Sequence, residues 1–416
     1  MVKNQLFMGI DLGTSGARIA IINIKNELIY SQSVNYSKGL ENINDWTNSV
    51  SLLIKDIPKN LSKNLIACSI DGTSGTLIAC NYEGKAIGEA IPYFINFPKT
   101  KEDQYSILES KTERDKLSLN SSIYRASQLI RKHGENILLR HQADWISGWL
   151  LENWESGEEG NNLKFGWDVQ KKSWPKFLET VKWKKALPQI VSSGSHLGNI
   201  ASRRADELGL PNNLKIIAGT TDSNAAVLAA NDSQNNGYTI LGSTIVIKLF
   251  RDNPIKGAGI SNHLIGGRYL CGGASNAGAA VLKKFFTEKQ LCELSRQINP
   301  EKNSGLSLIP MISEGERFPI EDPFLKPVLT PRPTSDSLYL HALLEGLARI
   351  EAQGWERLIE LGAQKPKEII TLGGGAHNQQ WRRLRERLIG IPIKNCKKPP
   401  AQGVAKLAME SILKIR

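Results

Sequence analysis

The sequence predicts an α/β protein built from two similar lobes, and two observations carry that expectation. Each half opens with an apolar strand that meets a turn rich in Gly, Ser and Thr and returns as a second strand, at 6–24 and again at 238–250. Each half later carries a strand, a glycine loop and a helix in succession, at 214–230 and 368–388. Such a repeated layout is that of two similar α/β lobes with a cleft between them. Boundaries are expected at 1–230 and 231–403, with the last helix, 404–416, free to pack back on the first lobe.

The chain has 416 residues, enough for about two or three domains. Its hydrophobic content of 40% and charged content of 23% are ordinary for a globular protein. No apolar run reaches the ~18 residues of a membrane span, and the N-terminus enters a strand without a signal-peptide core. Five scattered cysteines with no Cys-x-x-Cys pair fit free thiols in a reducing cytoplasm and argue against a zinc site. The net charge of +12 is spread along the chain with no base-reading motif. It reads as a solubilising or anion-attracting surface, with no nucleic-acid and no membrane partner.

In chain order, residues 7–10, 17–22 and 28–34 read as a three-strand meander. A helix at 46–57 and a strand at 65–70 follow. The strand runs into Asp71-Gly72-Thr73-Ser74-Gly75-Thr76, and 77–80 is a further strand. Residues 120–133 are expected to be helical, and Gln142-Ala143-Asp144-Trp145 begins another helix. The polar stretch 152–162 reads as a loop. Trp145, Trp149, Trp154, Trp167, Trp174 and Trp183 read as core, although sugar pockets also use aromatic walls. Strand 214–219 leads through Thr220-Thr221-Asp222-Ser223-Asn224 to a helix at 225–230. Turn residues at 231–237 mark a boundary. Strands at 238–241 and 245–250 flank Gly242-Ser243-Thr244. A helix is expected at 279–286, a long amphipathic one at 337–361, a strand at 368–372 and a helix at 379–388. Pro399-Pro400 marks a break before the last helix, 404–415.

Chemistry concentrates at the turns. Gly13 and Gly16 allow conformations that bare N–H groups at the tip carrying Thr14 and Ser15, a concave donor set suited to phosphate. Asp11 beside it would repel that phosphate unless a divalent cation lies between, and magnesium combines carboxylates with phosphate oxygens. The same residues also make a plain hairpin turn. Asp222 sits near a helix start, where Asp, Ser and Asn are favoured caps. A helix N-terminus is also an anion site.

The motifs in sum resemble the FGGY family of carbohydrate kinases, in the actin, hexokinase and Hsp70 superfamily. The matching segments are Gly9-Ile10-Asp11-Leu12-Gly13-Thr14-Ser15, Gly219-Thr220-Thr221-Asp222-Ser223, Leu241-Gly242-Ser243-Thr244, Gly272-Gly273-Ala274-Ser275-Asn276 and Gly373-Gly374-Gly375-Ala376-His377-Asn378-Gln379-Gln380-Trp381. The run is closest to a short cyanobacterial and plant branch, xylulose-kinase-like in sequence and thought to act on D-ribulose. Where xylulose kinases carry a Met-His-Gly segment after the strand ending at Ile70, this chain has Asp71-Gly72-Thr73-Ser74-Gly75, and the Lys-x-x-Trp signature is degraded around Arg125 to Leu129.

The resemblance implies two ribonuclease-H-like (actin-like ATPase) lobes and transfer of phosphate from ATP, with Mg2+, to a ketopentose. It implies Asp222 as the catalytic base and Asp11 as catalytic and metal-holding. Thr14 and Ser15 would meet the γ-phosphate, and Gly242, Ser243 and Thr244 the β/γ region. Gly374, Gly375, Asn378 and Trp381 would enclose adenosine. Asp11, Ser74, Asp222 and Asp144 would orient the sugar, with Trp145 beside them, while His377 reads as a surface residue. The expected partners are a small sugar and ATP or ADP, in a monomer or weak homodimer. Presence of both Asp11 and Asp222 argues against a non-catalytic sensor on the same fold. The polar turn at 71–76 fits a small substrate better than a chaperone-like ATPase would.

Overall fold

A computed structural model describes residues 5–95, 121–231 and 235–414. The chain divides into two compact units. The first comprises residues 1–229, 264–266 and 398–416; the second comprises 230–263 and 267–397.

The first unit is built on strands β1 (Leu6–Leu12), β2 (Gly16–Asn23), β3 (Leu28–Asn35), β4 (Leu65–Gly72), β5 (Leu77–Cys80), β6 (Leu138–His141), β7 (Ser156–Glu158), β8 (Gln189–Val191), β9 (His196–Asn199) and β10 (Lys215–Thr221). Its main sheet has the order β3-β2-β1-β4-β10-β9. β1, β2 and β3 form the antiparallel meander, and β1, β4 and β10 run parallel. Helices α1 (Ile43–Lys55), α2 (Ser122–His133), α3 (Gln142–Leu151), α4 (Ser202–Leu208) and α5 (Asp222–Ala230) belong to this unit.

The second unit repeats the scheme. Strands β11 (Asn236–Leu241), β12 (Ile245–Arg251), β13 (Ile260–Ile265), β14 (Arg268–Ala274), β15 (Glu368–Leu372) and β16 (Ile393–Asn395) are ordered β13-β14-β12-β11-β15-β16. β12 is antiparallel to β11 and β14, and β11, β15 and β16 are parallel. Helices α7 (Asp336–Glu360) and α8 (Gln379–Ile389) pack against that sheet, α6 (Glu288–Ser295) packs on α7, and α9 (Pro400–Lys414) closes the chain.

Strand periodicity decides what each face of the first sheet meets. Met8, Ile10 and Leu12 join Trp46, Val50, Trp145 and Ile146 in one core. Phe7, on the other face, joins Ala405, Ala408 and Met409 of α9. Between these, Gly9 lets α9 approach: a Cβ there would lie 1.9 Å from the Ala401 carbonyl oxygen. Gly403 does the same for α5, where a Cβ would lie 1.9 Å from the Ala225 oxygen. One helix thus touches the strand ending in Asp11 and the helix beginning at Asp222. The second unit buries Leu343, Leu347, Trp355 and Leu384 against Ile245, Ile247 and Ile369.

Three expectations change. The stretch 152–162 is no open loop, because it forms β7 and a helical turn, Glu159–Asn162, whose polar residues are buried. The expected helix at 279–286 is a single turn, Ala280–Lys283, at the end of β14. The last helix starts at Pro400 rather than after it, since proline suits the first helical position. Asn120, at the expected start of α2, lies outside the described residues. Among the described residues, no helix is long and apolar enough to cross a membrane.

Candidate active site

Three aspartates converge where the parallel strands of the first unit end. Asp11 and Asp71 occupy paired positions on β1 and β4, so their side chains share a sheet face. Thr220 pairs with Asp71 from β10, two residues before Asp222 opens α5. Carboxyl ends of parallel strands are where open α/β sheets bind ligands. Asp11 is 1% exposed, and its Oδ2 accepts a 2.9 Å hydrogen bond from Arg18 Nη1. Arg18 is its direct cross-strand partner on β2. Asp222 is half-buried, and its Oδ1 accepts the Ser223 N–H at 2.7 Å.

Asp71 is the member that sequence reasoning missed. It is wholly buried, and among the described residues no donor reaches either carboxylate oxygen. Burial pushes its carboxyl well above the usual range, and the charges of Asp11 and Asp222 push it further. Its sequence signal was an aspartate closing an apolar run, as at Asp11. Reading the strand as ending at Ile70 placed Asp71 in a loop.

Around this cluster, the hairpin tip closes through Gly13 N–H to the Gly16 oxygen at 2.9 Å, leaving Thr14 and Ser15 exposed. The Ser74 turn is set from below: Thr73 and Thr76 hydroxyls lie 2.6 Å apart, and the Thr73 hydroxyl donates to Gln142 Oε1 at 2.7 Å. Gly75 takes φ +99°, a conformation that favours glycine. Ser74 is half-buried at the tip.

Asp144 and Trp145 are corrected. Asp144 accepts the Glu158 N–H at 3.0 Å and Asn162 Nδ2 at 3.1 Å, and Glu158 in turn caps the Glu159–Asn162 turn. Burial raises the Asp144 carboxyl to about 7. It organises a buried polar network rather than facing a sugar. Trp145 packs edge-on to Trp46 at 6.2 Å and donates Nε1–H to the Gly84 oxygen at 3.1 Å, within the core.

In the second unit, the Gly242, Ser243, Thr244 turn is fixed by its carbonyls. Ala279 N–H donates to the Gly242 oxygen at 3.0 Å, and Gly278 lets this segment approach the Ser243 backbone. Ser243 is exposed. Beyond β15, Gly373 has φ +84°, and Gly374 is exposed with nothing within 4 Å of where a Cβ would stand. Asn378 serves as the N-cap of α8, accepting Trp381 N–H at 3.0 Å and donating Nδ2–H to Ser295 Oγ at 2.8 Å. Trp381 is corrected: it is 2% exposed in the core, its ring 2.7 Å from where a Gly375 Cβ would stand. It supports the glycine turn instead of presenting a face to adenine. His377 is exposed.

Within the first unit, the exposed hydroxyls at Thr14 and Ser15 are donors of the kind a phosphate accepts from. Among the described residues, no three His, Cys, Asp or Glu side chains are arranged to hold a metal. A magnesium ion at Asp11 would therefore take its other ligands from phosphate oxygens and water, as this ion commonly does.

Two α/β units with this strand order, and a carboxylate cluster at the end of the first sheet, define the actin-like ATPase fold. The solved xylulose kinase of Lactobacillus acidophilus superimposes with a TM-score of 0.79 at 18% identity, covering 99% of this chain and 90% of that one. Residues 237–411 match the C-terminal domain of the FGGY family of carbohydrate kinases. The xylulose kinase of Staphylococcus xylosus is 22% identical over 445 residues, which span 96% of this chain and 90% of that protein. The L-fuculokinase of Escherichia coli K12 is also 22% identical, over 94% of this chain and 89% of its own length. The protein is an ATP-dependent sugar kinase, a phosphotransferase, and is similar to the FGGY family over its C-terminal part.

Proposed function

We propose that the protein phosphorylates a ketopentose, D-ribulose ahead of D-xylulose. The observation that carries this is the pairing of Asp11 with Asp71 at the strand ends, two residues from Asp222 on the neighbouring strand. A sugar hydroxyl becomes a competent nucleophile when a carboxylate accepts its proton as the new bond forms. Asp222, fixed between β10 and α5, takes that proton. The hydroxyl oxygen bonds to the γ-phosphorus of ATP, the bond to the bridging oxygen breaks, and ADP leaves. Thr14 and Ser15 donate hydrogen bonds to the transferring group, and Ser74 orients the sugar. Ser243, Thr244 and Gly374 receive the rest of the nucleotide. Magnesium, held at Asp11, would supply charge neutralisation of the phosphate oxygens.

The D-xylulose reading is carried by the xylulose kinases among the relatives. The Asp71-Gly72-Thr73-Ser74-Gly75 segment, where xylulose kinases carry Met-His-Gly, supports ribulose instead. Five free cysteines support a reducing compartment such as the cytoplasm. The test is a coupled ADP-release assay over D-ribulose, D-xylulose, L-fuculose, glycerol and gluconate. D-ribulose should have the highest kcat/KM; a clear preference for another acceptor overturns the substrate. Asp222→Asn keeps the shape and should lower turnover about 10²- to 10⁴-fold while sparing ATP affinity. Turnover within a few-fold of wild type removes Asp222 from the role of base.

A further inference from the structure

The second sheet has a far end, away from the Gly242 and Gly373 turns. β11 and β15 begin there, at Asn236 and Glu368, and run in parallel to those turns, while β12 returns to it and closes at Arg251. The six residues of β11, at about 3.3 Å each, put roughly 20 Å between the two ends. A cleft of about 310 Å³ opens at the far end, wholly within the second unit. Its two walls are tied where the Lys367 N–H donates to the Asn235 oxygen at 3.0 Å. Its rim is open at Gly362, which has φ +91° and nothing within 4 Å of where a Cβ would stand.

Three cations, Arg251, Arg268 and Lys365, line this cleft against one carboxylate, Asp252. Arg251 pairs with Tyr269 across β12 and β14, so Arg268, the residue before Tyr269, leaves the opposite face of the sheet. The cleft at the strand ends thus has an arginine from each side. Arg268 is held in place: its guanidinium lies 5.7 Å from the Phe250 ring centre, and its Nε donates to Asp252 Oδ1 at 3.2 Å. Among the described residues, neither of its Nη atoms meets an acceptor, and no carboxylate pairs with Arg251 or Lys365. A cleft lined by one sign of charge focuses its field on small counter-ions. α7 ends beside the cleft, and free carbonyls at a helix C-terminus would oppose an anion. Those carbonyls are occupied: the Leu361, Gly362 and Ala363 N–H groups donate to the oxygens of Arg357, Ile359 and Leu358 at 3.1, 2.9 and 2.9 Å.

We infer that this cleft is a second ligand site, which binds a small phosphate dianion, free or carried on a sugar, through Arg251, Arg268 and Lys365. Arginine's planar fork matches phosphate oxygens, and lysine adds a point charge. A concave site of this volume admits a small phosphate ester. The site is separate from the Gly242 and Gly373 turns, and it stands whichever sugar is the acceptor.

The experiment titrates inorganic phosphate, D-glucose 6-phosphate and D-glucose into the full chain by calorimetry, in wild type, Arg251→Gln, Arg268→Gln and Lys289→Gln. The nucleotide turns carry neither arginine, so binding lost in the arginine variants belongs to the cleft. Each arginine variant should weaken D-glucose 6-phosphate binding about tenfold or more, as for lost hydrogen bonds to a charged group. Lys289→Gln removes an exposed charge on α6 and should leave that affinity within twofold. All three variants should keep kcat within twofold at saturating substrates, and none should change the response to D-glucose. Tighter binding of the ester than of inorganic phosphate assigns the sugar to the cleft as well; equal binding assigns it to phosphate alone, and either supports the site. Absence of binding by both phosphate probes, or binding that the arginine variants leave unchanged, overturns it. Equal weakening in Lys289→Gln also overturns it, by showing diffuse surface charge only. A single-stranded oligonucleotide that binds through the same arginines while neither phosphate probe does would make this a polyanion surface and overturn the small-ligand site.

Discussion

Replacing Arg385 with Leu should unfold the second unit first. Arg385 on α8 is 1% exposed and Glu351 on α7 is fully buried. They pair through two bonds, Nε to Oε2 at 2.5 Å and Nη2 to Oε1 at 2.8 Å. Arg385 Nη1 also donates to Thr371 Oγ1 on β15 at 2.8 Å, and Thr239 Oγ1 on β11 donates to Glu351 at 2.7 Å. Two helices and two strands meet at this point, and those strands end in the Gly242 and Gly373 turns. Arg385→Leu strands a buried carboxylate, for which the cost is about 3–5 kcal/mol. In a unit of this size that is a fall of roughly 6–20 °C in Tm. Glu351→Leu together with Arg385→Leu strands no charge and leaves only two hydroxyls short of a partner, at about 0.5–1.5 kcal/mol each. The double variant should therefore be more stable than Arg385→Leu alone. Urea unfolding of the two single variants and the double variant forms a cycle that isolates the pair. A double variant whose loss equals the sum of the two single losses would refute the argument, since it would show that the two residues act independently.

Two further expectations concern glycines and one concerns pH. Gly403→Ala forces a Cβ onto the Ala225 backbone and should destabilise by about 1–3 kcal/mol. Because α5 carries Asp222, kcat should fall with it, and unchanged kinetics would show that α5 does not move. Gly374→Ala meets nothing, so stability should hold within about 0.5 kcal/mol. Calorimetry should nonetheless find weaker ADP binding; unaltered affinity would take Gly374 out of the nucleotide site. The Asp144 carboxyl is raised to about 7, so its contribution is fully present below the unfolded value and is lost as pH rises through 7. Relative to wild type, Asp144→Asn should gain at most about 1.4 kcal/mol per pH unit between pH 4 and 7. Urea midpoints measured across that range check it, and a difference independent of pH would refute it.

What could be read from the chain follows how local each signal is. The meander, β10, β15 and α7 announce themselves through apolar periodicity and turn residues, which depend on neighbours a few positions away. The stretch 152–162 gave the opposite impression because its polarity is local while its burial is not. Glu158, Asn161 and Asn162 are tolerated inside because Asp144, more than ten residues earlier, accepts their donors. Trp145 and Trp381 show the same gap for aromatics. Composition cannot tell a ring that walls a ligand from one that fills a core.

The C-terminal helix shows where the site becomes a property of the whole unit. Gly9 precedes Asp11 by two residues and looks like one more glycine of a phosphate-binding turn. Its carbonyl neighbour is Ala401, nearly four hundred residues later, and the constraint on it is that helix rather than a ligand. Gly403, two residues further along α9, imposes the same closeness on Ala225 of the helix that starts at Asp222. Backbone contacts of this kind leave no slack, because neither partner can rotate away as a side chain would. The separation between the carboxylate at the end of β1 and the one at the start of α5 is thereby set by a helix that carries neither. A change on α9 that keeps both aspartates can therefore still displace Asp222, the proposed proton acceptor, and an error of about 1 Å in such a position is worth about 10²-fold in rate.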